Sequence, residues 1–338
     1  MGPLQPPRRT NFAGAPRHVG VEIEFAALTA EAAAHAIVQR FGGEVAHVDP
    51  HRFEVRGARY GTFKAELDSK FAHPQGYFRL TDEGVDDGLD DVRRALSRLF
   101  GDLGAVVIPC EIVAPPVPIE ALPELDALVD DLRAQGARGS GDSVFYAFGL
   151  HLNPDAASLS PEWIVDVMRA EMLLSDWLRR VMVIDPTRAL TGFAPQFPDD
   201  FVRLVLAPGY RREITGVRDD YITHNPTRDR ELDLLPLLAW IDEAGVRGRL
   251  PHEKIGRRPA FHFRLPNAAL DQADWSITRE WNRWWLVEML AENRPVAAAM
   301  AARHLDNLDA WLPEDWALRS SAFLVELLAE KYHFDAVS

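Results

Sequence analysis

Residues 18–25 read "HVGVEIEF". Side chains alternate between the two faces of a β-strand, so Val21, Ile23 and Phe25 share one face and Glu22 and Glu24 share the other. The apolar face needs a core behind it. The two carboxylates, about 7 Å apart by strand geometry, repel each other unless a cation or a set of donors lies among them.

The same alternation returns along the chain. In "FKAELDSKF" (63–71), Lys64, Glu66 and Asp68 fall on one face and Phe63, Ala65 and Leu67 on the other. In "VIPCEIVAPP" (107–116), Glu111 is a single carboxylate inside an apolar run. In "YAFGLHLNPD" (146–155), His151 and Asn153 oppose Leu150 and Leu152. In "AFHFRLP" (260–266), His262 and Arg264 oppose Phe261, Phe263 and Leu265. One such strand is most simply the wet face of an antiparallel sheet, and a lone histidine on it is most simply a hydrogen-bonded residue. Wet faces, however, usually mix in Thr, Ser and Lys. Glu, Asp, His, Asn and Arg are the side chains that hold hard divalent ions and phosphate oxygens. Five strands carrying mostly these types predict a shared polar surface that binds metal and phosphate.

The chain has 338 residues, 47% of them hydrophobic, enough for a large core. Its formal charge of −14 argues against a nucleic-acid or anionic-membrane partner. The single cysteine, Cys110, allows no intrachain disulfide and reads as a small core residue. No apolar run approaches the roughly 18 residues that span a bilayer. The Pro- and Arg-rich start lacks the apolar stretch of a signal peptide, so a cytoplasmic protein with a disordered tail over residues 1–17 is expected.

Strands are predicted near 18–26, 44–55, 59–69, 105–114, 144–153 and 259–266, with 44–55 and 59–69 as a hairpin around Gly57. Helices are predicted near 29–41, 86–101, 118–135, 199–206, 230–244, 275–292, 295–311 and 317–331. Another starts at Ser160, which caps it ahead of Pro161. No Pro/Gly/Ser linker divides 18–338, so a single α+β domain with a largely helical second half is expected.

Positive charge concentrates in "YRREITGVRDDYITHNPTRDR" (210–230), with Arg211, Arg212, Arg218, Arg228 and Arg230. "HEKIGRRP" (252–259) adds Lys254, Arg257 and Arg258. These are either local ion pairs with Glu213, Asp219, Asp220 and Asp229 or a phosphate grip facing the carboxylates. Trp281, Trp284, Trp285 and Glu288 recur at helical spacing, which favours core packing over a base-stacking role. No Walker phosphate loop, dinucleotide fingerprint, H-E-x-x-H, cysteine pair for zinc or nucleophile elbow is present in the sequence.

In chain order the pieces are Glu-x-Glu, Asp-Ser, a Glu before Pro-Pro, Gly-Leu-His-x-Asn and a late strand ending on Arg. This order resembles the carboxylate–amine ligase superfamily of glutamine synthetase and glutamate–cysteine ligase, and within it the bacterial amidoligases. "GVEIEF", "CEIVAPP", "YAFGLHLNPD", "DYITHNPTRDRELDLLPL" and "RPAFHFRLPN" carry the likeness over residues 18 to about 290.

The resemblance implies a glutamine synthetase-like catalytic domain, a curved antiparallel sheet forming half a funnel with helices behind. It implies ATP held by Mg²⁺ or Mn²⁺. One ion would sit on Glu24, Asp68 and Glu111, a second on Glu22, His151 and His262, the last standing where relatives commonly carry Glu. Asn153, Arg211, Arg228 and Lys254 would contact the nucleotide. Arg264 would stabilise the transferring phosphoryl group, Glu66 would take the amine's proton, and 210–230 would serve as a lid. The reaction implied is amide or isopeptide formation between a small-molecule or peptide carboxylate and an amine, through an acyl phosphate, in a protein that relatives suggest is a homo-oligomer. The rival readings are a metal-dependent hydrolase or phosphotransferase and a catalytically silent nucleotide-binding module.

Overall fold

The computed structural model describes residues 2–67, 109–139, 148–184, 194–210 and 212–332. Asp68, Arg211 and the helix expected over 86–101 lie outside them. Among the described residues the protein is α+β, an open eight-stranded antiparallel sheet with ten helices. The strands are β1 (His18–Phe25), β2 (Glu44–Asp49), β3 (Arg52–Ala58), β4 (Gly61–Leu67), β5 (Cys110–Pro118), β6 (Leu150–Pro154), β7 (Leu232–Asp233) and β8 (His262–Phe263). Their order across the sheet is β2-β3-β4-β5-β1-β6-β8-β7. The stretch that opened the sequence is therefore an inner strand, paired with β5 on one side and β6 on the other.

The apolar face is sealed. Val19, Val21, Ile23 and Phe25 of β1 are all within 1% of full burial. Phe63, Ala65, Ile112, Leu150, Leu152 and Phe263 continue the same face. Helix α1 (Ala30–Phe41) lies against β3 and β4, with Phe41 stacked on Phe63 at 5.1 Å. Helix α2 (Leu122–Ala134) packs beside α1. Helix α3 (Pro161–Val181) starts as its sequence predicts, with Ser160 Oγ accepting from Trp163 N at 3.3 Å. The backbone at Gly43 has φ +88°, and a Cβ there would lie 2.6 Å from the Arg56 carbonyl, so only glycine makes the turn from α1 into β2. Pro115 and Pro116 sit in an inner strand, where proline removes ladder hydrogen bonds. The register of β1 on β5 shifts between Val19 and Val21, and this bulge accommodates them.

Several expectations are corrected. The stretch 44–55 is not one strand: a turn at Pro50–His51 divides it into β2 and β3, and the hairpin to β4 turns at Arg59–Tyr60, with Gly57 (φ +71°) inside β3. The region 210–230 is not a plain loop. It contains α5 (Ile214–His224), following α4 (Asp199–Leu206), and its Arg212 and Arg218 pair with Asp220, Asp219 and Asp242. The helix expected over 230–244 gives way at its start to β7, then continues as α6 (Leu235–Ile241) and α7 (Glu243–Arg249). Cys110 is a core residue, as expected; burial pushes its thiol up to about 12. No helix among the described residues is long and apolar enough to cross a membrane.

The segment expected as a disordered tail is instead strapped along α8 (Ile277–Glu292), which packs on α2 and α3. The indoles of Trp281 and Trp285 donate to the carbonyls of Leu4 and Gln5, both at 2.8 Å. Trp281, Trp284 and Trp285 are buried, which settles their role as core. Arg17 reaches Glu288 through two bonds of 2.6 Å, both side chains buried, and the Trp284 indole also donates to Glu288. Helices α9 (Arg294–Asp309) and α10 (Trp316–Tyr332) complete the fold on α3. Breaking a buried pair by deleting one partner leaves an uncompensated charge, so Glu288→Ala should cost about 3–5 kcal/mol in urea unfolding, while replacing both Arg17 and Glu288 by Met should cost less. A loss below about 1 kcal/mol, the level of an exposed pair, would contradict this role.

Candidate functional site

The polar face follows from the register. Residues directly opposite on antiparallel strands share a face, with Cβ atoms about 4.5–5.5 Å apart. Glu66 of β4 opposes Glu111 of β5, and Glu111 opposes Glu24 of β1. One row across three strands thus holds three carboxylates. In the next row Glu22 opposes His151 of β6. Beyond β6, Leu152 opposes Phe263, which brings His262 and Arg264 to the polar side, and Asp233 of β7 opposes His262.

Two groups on this face bring three potential metal-ligating atoms within 4.8 Å of one another: Glu24 with Glu111 and His151, and Glu22 with His151 and His262. Glu24 Oε2 accepts from the Gly149 amide at 2.7 Å, and Glu24 Oε1 lies 3.8 Å from His151 Nε2. Glu22 Oε2 lies 3.0 Å from His151 Nδ1, and Glu22 Oε1 accepts from Asn153 Nδ2 at 3.0 Å. The rings of His151 and His262 meet edge to face at 5.2 Å. Glu24, His151, Asn153, His262 and Arg264 are buried, and Glu22 and Glu111 are partly so. Burial alone would raise the Glu22 carboxyl, but the His151 hydrogen bond and the neighbouring histidines and Arg258 hold it well below the usual carboxylate range. Carboxylate and imidazole donors at this spacing fit a divalent cation by the chemistry of the set.

Positive charge meets this surface at one edge. Arg264 Nη1 lies 3.4 Å from His262 Nε2, Arg258 Nη2 lies 3.6 Å from Glu22 Oε1, and Arg228 Nε lies 3.9 Å from Asp233 Oδ2. Arg228 also donates to the Lys254 carbonyl. Lys254 itself is exposed. Glu66 shares the carboxylate row but pairs with Arg52 at 3.3 Å. Asp68 and Arg211, both expected here, fall outside the described residues. Arg258 lies against the carboxylates as the reading of 252–259 allows, whereas Asp233 and Arg52 are members of this surface that the sequence does not single out. Asp233 was assigned to a helix, although "ELDL" (231–234) alternates as a strand does.

His262 is 1% exposed, and burial holds its imidazole well below its ordinary 6.5, Arg264 and Arg258 acting in the same sense and Glu22 against it. A group whose folded value is depressed binds its proton first in the unfolded chain, so stability falls as pH drops below 6.5. Burial raises Asp233 to about 6, which acts in the opposite sense below that pH. Between pH 7 and 5.5 the wild type should therefore lose more stability than His262→Asn in urea unfolding with chelator present. Equal losses would contradict a neutral buried His262.

Comparison with known proteins adds one finding. A family model described as "Putative amidoligase enzyme" matches residues 15–286, a span that runs from just before β1 to the middle of α8 and includes every residue of the polar face named above. Neither the comparison with curated proteins nor that with solved structures returned a significant match. Since the family model covers most of the chain and all of its carboxylate- and imidazole-bearing strands, the chain belongs to the amidoligase family it describes.

Proposed function

We propose that the protein is an ATP- and divalent-metal-dependent carboxylate–amine ligase that joins an amine to a carboxylate through an acyl phosphate. The observation that carries this reading is the polar face itself. A surface of buried carboxylates and imidazoles, with Arg264, Arg258 and Arg228 along one edge, suits a cation-bound polyphosphate. Family membership supports the ligase class. Two groups of described residues could surround the cation, Glu24 with Glu111 and His151, or Glu22 with His151 and His262, and Asp68, outside the described residues, is a further candidate ligand. The bound ion would neutralise phosphate charge and polarise the γ-phosphoryl group.

The chain's own residues then account for the rest. A carboxylate oxygen of the substrate attacks the γ-phosphorus, and the bond to the β–γ bridging oxygen breaks, releasing ADP. Arg264 would bind the transferring group, with Arg228, Lys254 and Arg211 as proposed nucleotide contacts and Asn153 as a donor to a phosphate oxygen. The amine nitrogen attacks the acyl carbon, loses a proton and expels inorganic phosphate. Glu66 is the candidate acceptor for that proton. It pairs with Arg52 at 3.3 Å in the resting protein, so substrate must displace Arg52 before Glu66 can act. In this reading the sheet is the half-funnel of a glutamine synthetase-like domain.

Thermal shift tests the site. ATP with Mg²⁺ or Mn²⁺ together should raise the melting temperature beyond what either gives alone, by an amount equivalent to about 2.7 kcal/mol at a hundred times Kd. Glu24→Gln keeps an oxygen for the Gly149 amide and removes the charge, so it should abolish that shift and leave the ligand-free melting temperature close to wild type. Wild-type binding by that variant would refute the site. Phosphate release that needs both an amine and a carboxylate supports ligation. Turnover of phosphate esters without nucleotide would place the protein among hydrolases instead, and nucleotide binding with no turnover would make it a silent binder.

A further inference from the structure

The two donor groups on the polar face share one ring. A neutral imidazole has one lone pair, so His151 can serve an ion in one group only. Hydrogen bonding decides which. A carboxylate is acceptor-only, and Glu22 Oε2 lies 3.0 Å from His151 Nδ1, so Nδ1 carries the hydrogen. The lone pair is then on Nε2, which faces Glu24 Oε1 at 3.8 Å.

The remaining donors of the Glu22 group are already committed. Glu22 Oε1 accepts from Asn153 Nδ2 at 3.0 Å and faces Arg258 Nη2 at 3.6 Å. His262 Nδ1 faces Asp233 Oδ2 at 3.4 Å and acts as donor, by the same argument. Arg264 is donor-only, so His262 Nε2 accepts from Arg264 Nη1 at 3.4 Å. A cation bound to that nitrogen would sit against a guanidinium.

We propose that Glu24, Glu111 and Nε2 of His151 form one mixed oxygen–nitrogen site for a divalent cation, and that Glu22 is a positioning residue that fixes the His151 tautomer. This rests on the reading that the polar face binds a divalent cation, and it departs from the arrangement implied by the superfamily, in which Glu22, His151 and His262 hold an ion of their own. The pattern is a carboxylate that orients a metal-bound histidine from behind. His262, Asp233, Asn153 and the arginines form the network that holds Glu22 in place. A nitrogen in the donor set favours Mn²⁺ over Mg²⁺ at this position.

Mn²⁺ titration followed by EPR, with no nucleotide present, tests this. Wild type should bind Mn²⁺ more tightly than Mg²⁺ and show the modulation of one directly bound imidazole nitrogen. Glu24→Gln and Glu111→Gln should lose the ion. Glu22→Gln should weaken binding by about 10–100-fold, the usual effect of an outer partner, and keep the nitrogen signal. His262→Asn should keep both the signal and most of the affinity. Because a variant can fail to fold, Zn²⁺ added to wild type labelled with ¹⁵N-histidine gives an independent readout: the ion should shift Nε2 of His151 and leave Nδ1 protonated. Coordination through Nδ1, loss of the nitrogen signal in His262→Asn, loss of the ion in a folded Glu22→Gln to the level of Glu24→Gln, or no Mn²⁺ binding would each overturn the proposal. Failure of ATP turnover would sink the ligase reading and leave this result standing.

Discussion

Glu24 and Glu111 face each other across two hydrogen-bonded strands in the middle of the sheet. Like charges directly opposite destabilise a sheet, and burial strengthens the repulsion. Glu24 is only 4% exposed, so water does not relieve it. The structure meets this constraint with an oriented donor, the Gly149 amide, which bonds Glu24 Oε2 at 2.7 Å. Glu22 in turn meets Asn153, His151 and Arg258. A face this expensive in charge persists only against a back that cannot shift. Val21, Ile23 and Phe25 provide that back, and a slip of one residue would drive the carboxylates into the core.

The rest of the fold keeps that register. The bulge that accommodates Pro115 and Pro116 sets how β5 meets β1, and hence that Glu111 lies opposite Glu24. The short strands β7 and β8 extend the sheet by two residues each, enough to add His262 and Asp233 to the polar side. The N-terminal segment enters β1 from Arg17, whose buried pair with Glu288 ties the start of the strand to α8.

Much of this was legible in the sequence because strand alternation is a local signal. Val21–Glu22–Ile23–Glu24 shows its two faces without any partner, as do Leu150–His151–Leu152–Asn153. What was not legible depended on distant partners. Residues 2–17 have the composition of a disordered tail, and partners far along the chain, the α8 indoles and Glu288 among them, explain their order. Of the two readings open for Arg212 and Arg218, local ion pairs or a phosphate grip, the pairs with Asp220 and Asp219 were visible in the sequence, and only the Arg218 contact with Asp242 depended on a distant partner. Asp233 sat in a four-residue alternation too short to outweigh the helical run after it. The shared use of His151 by two donor groups is a property of three-dimensional spacing and has no sequence signature at all.

The most direct measurement is a crystal structure with Mn²⁺ and a non-hydrolysable ATP analogue, with anomalous scattering recorded to place the metal. The account predicts a manganese peak bound by Glu24, Glu111 and His151, with the polyphosphate reaching from it toward Arg264. A peak elsewhere on the molecule, or a nucleotide bound away from this face of the sheet, would contradict it.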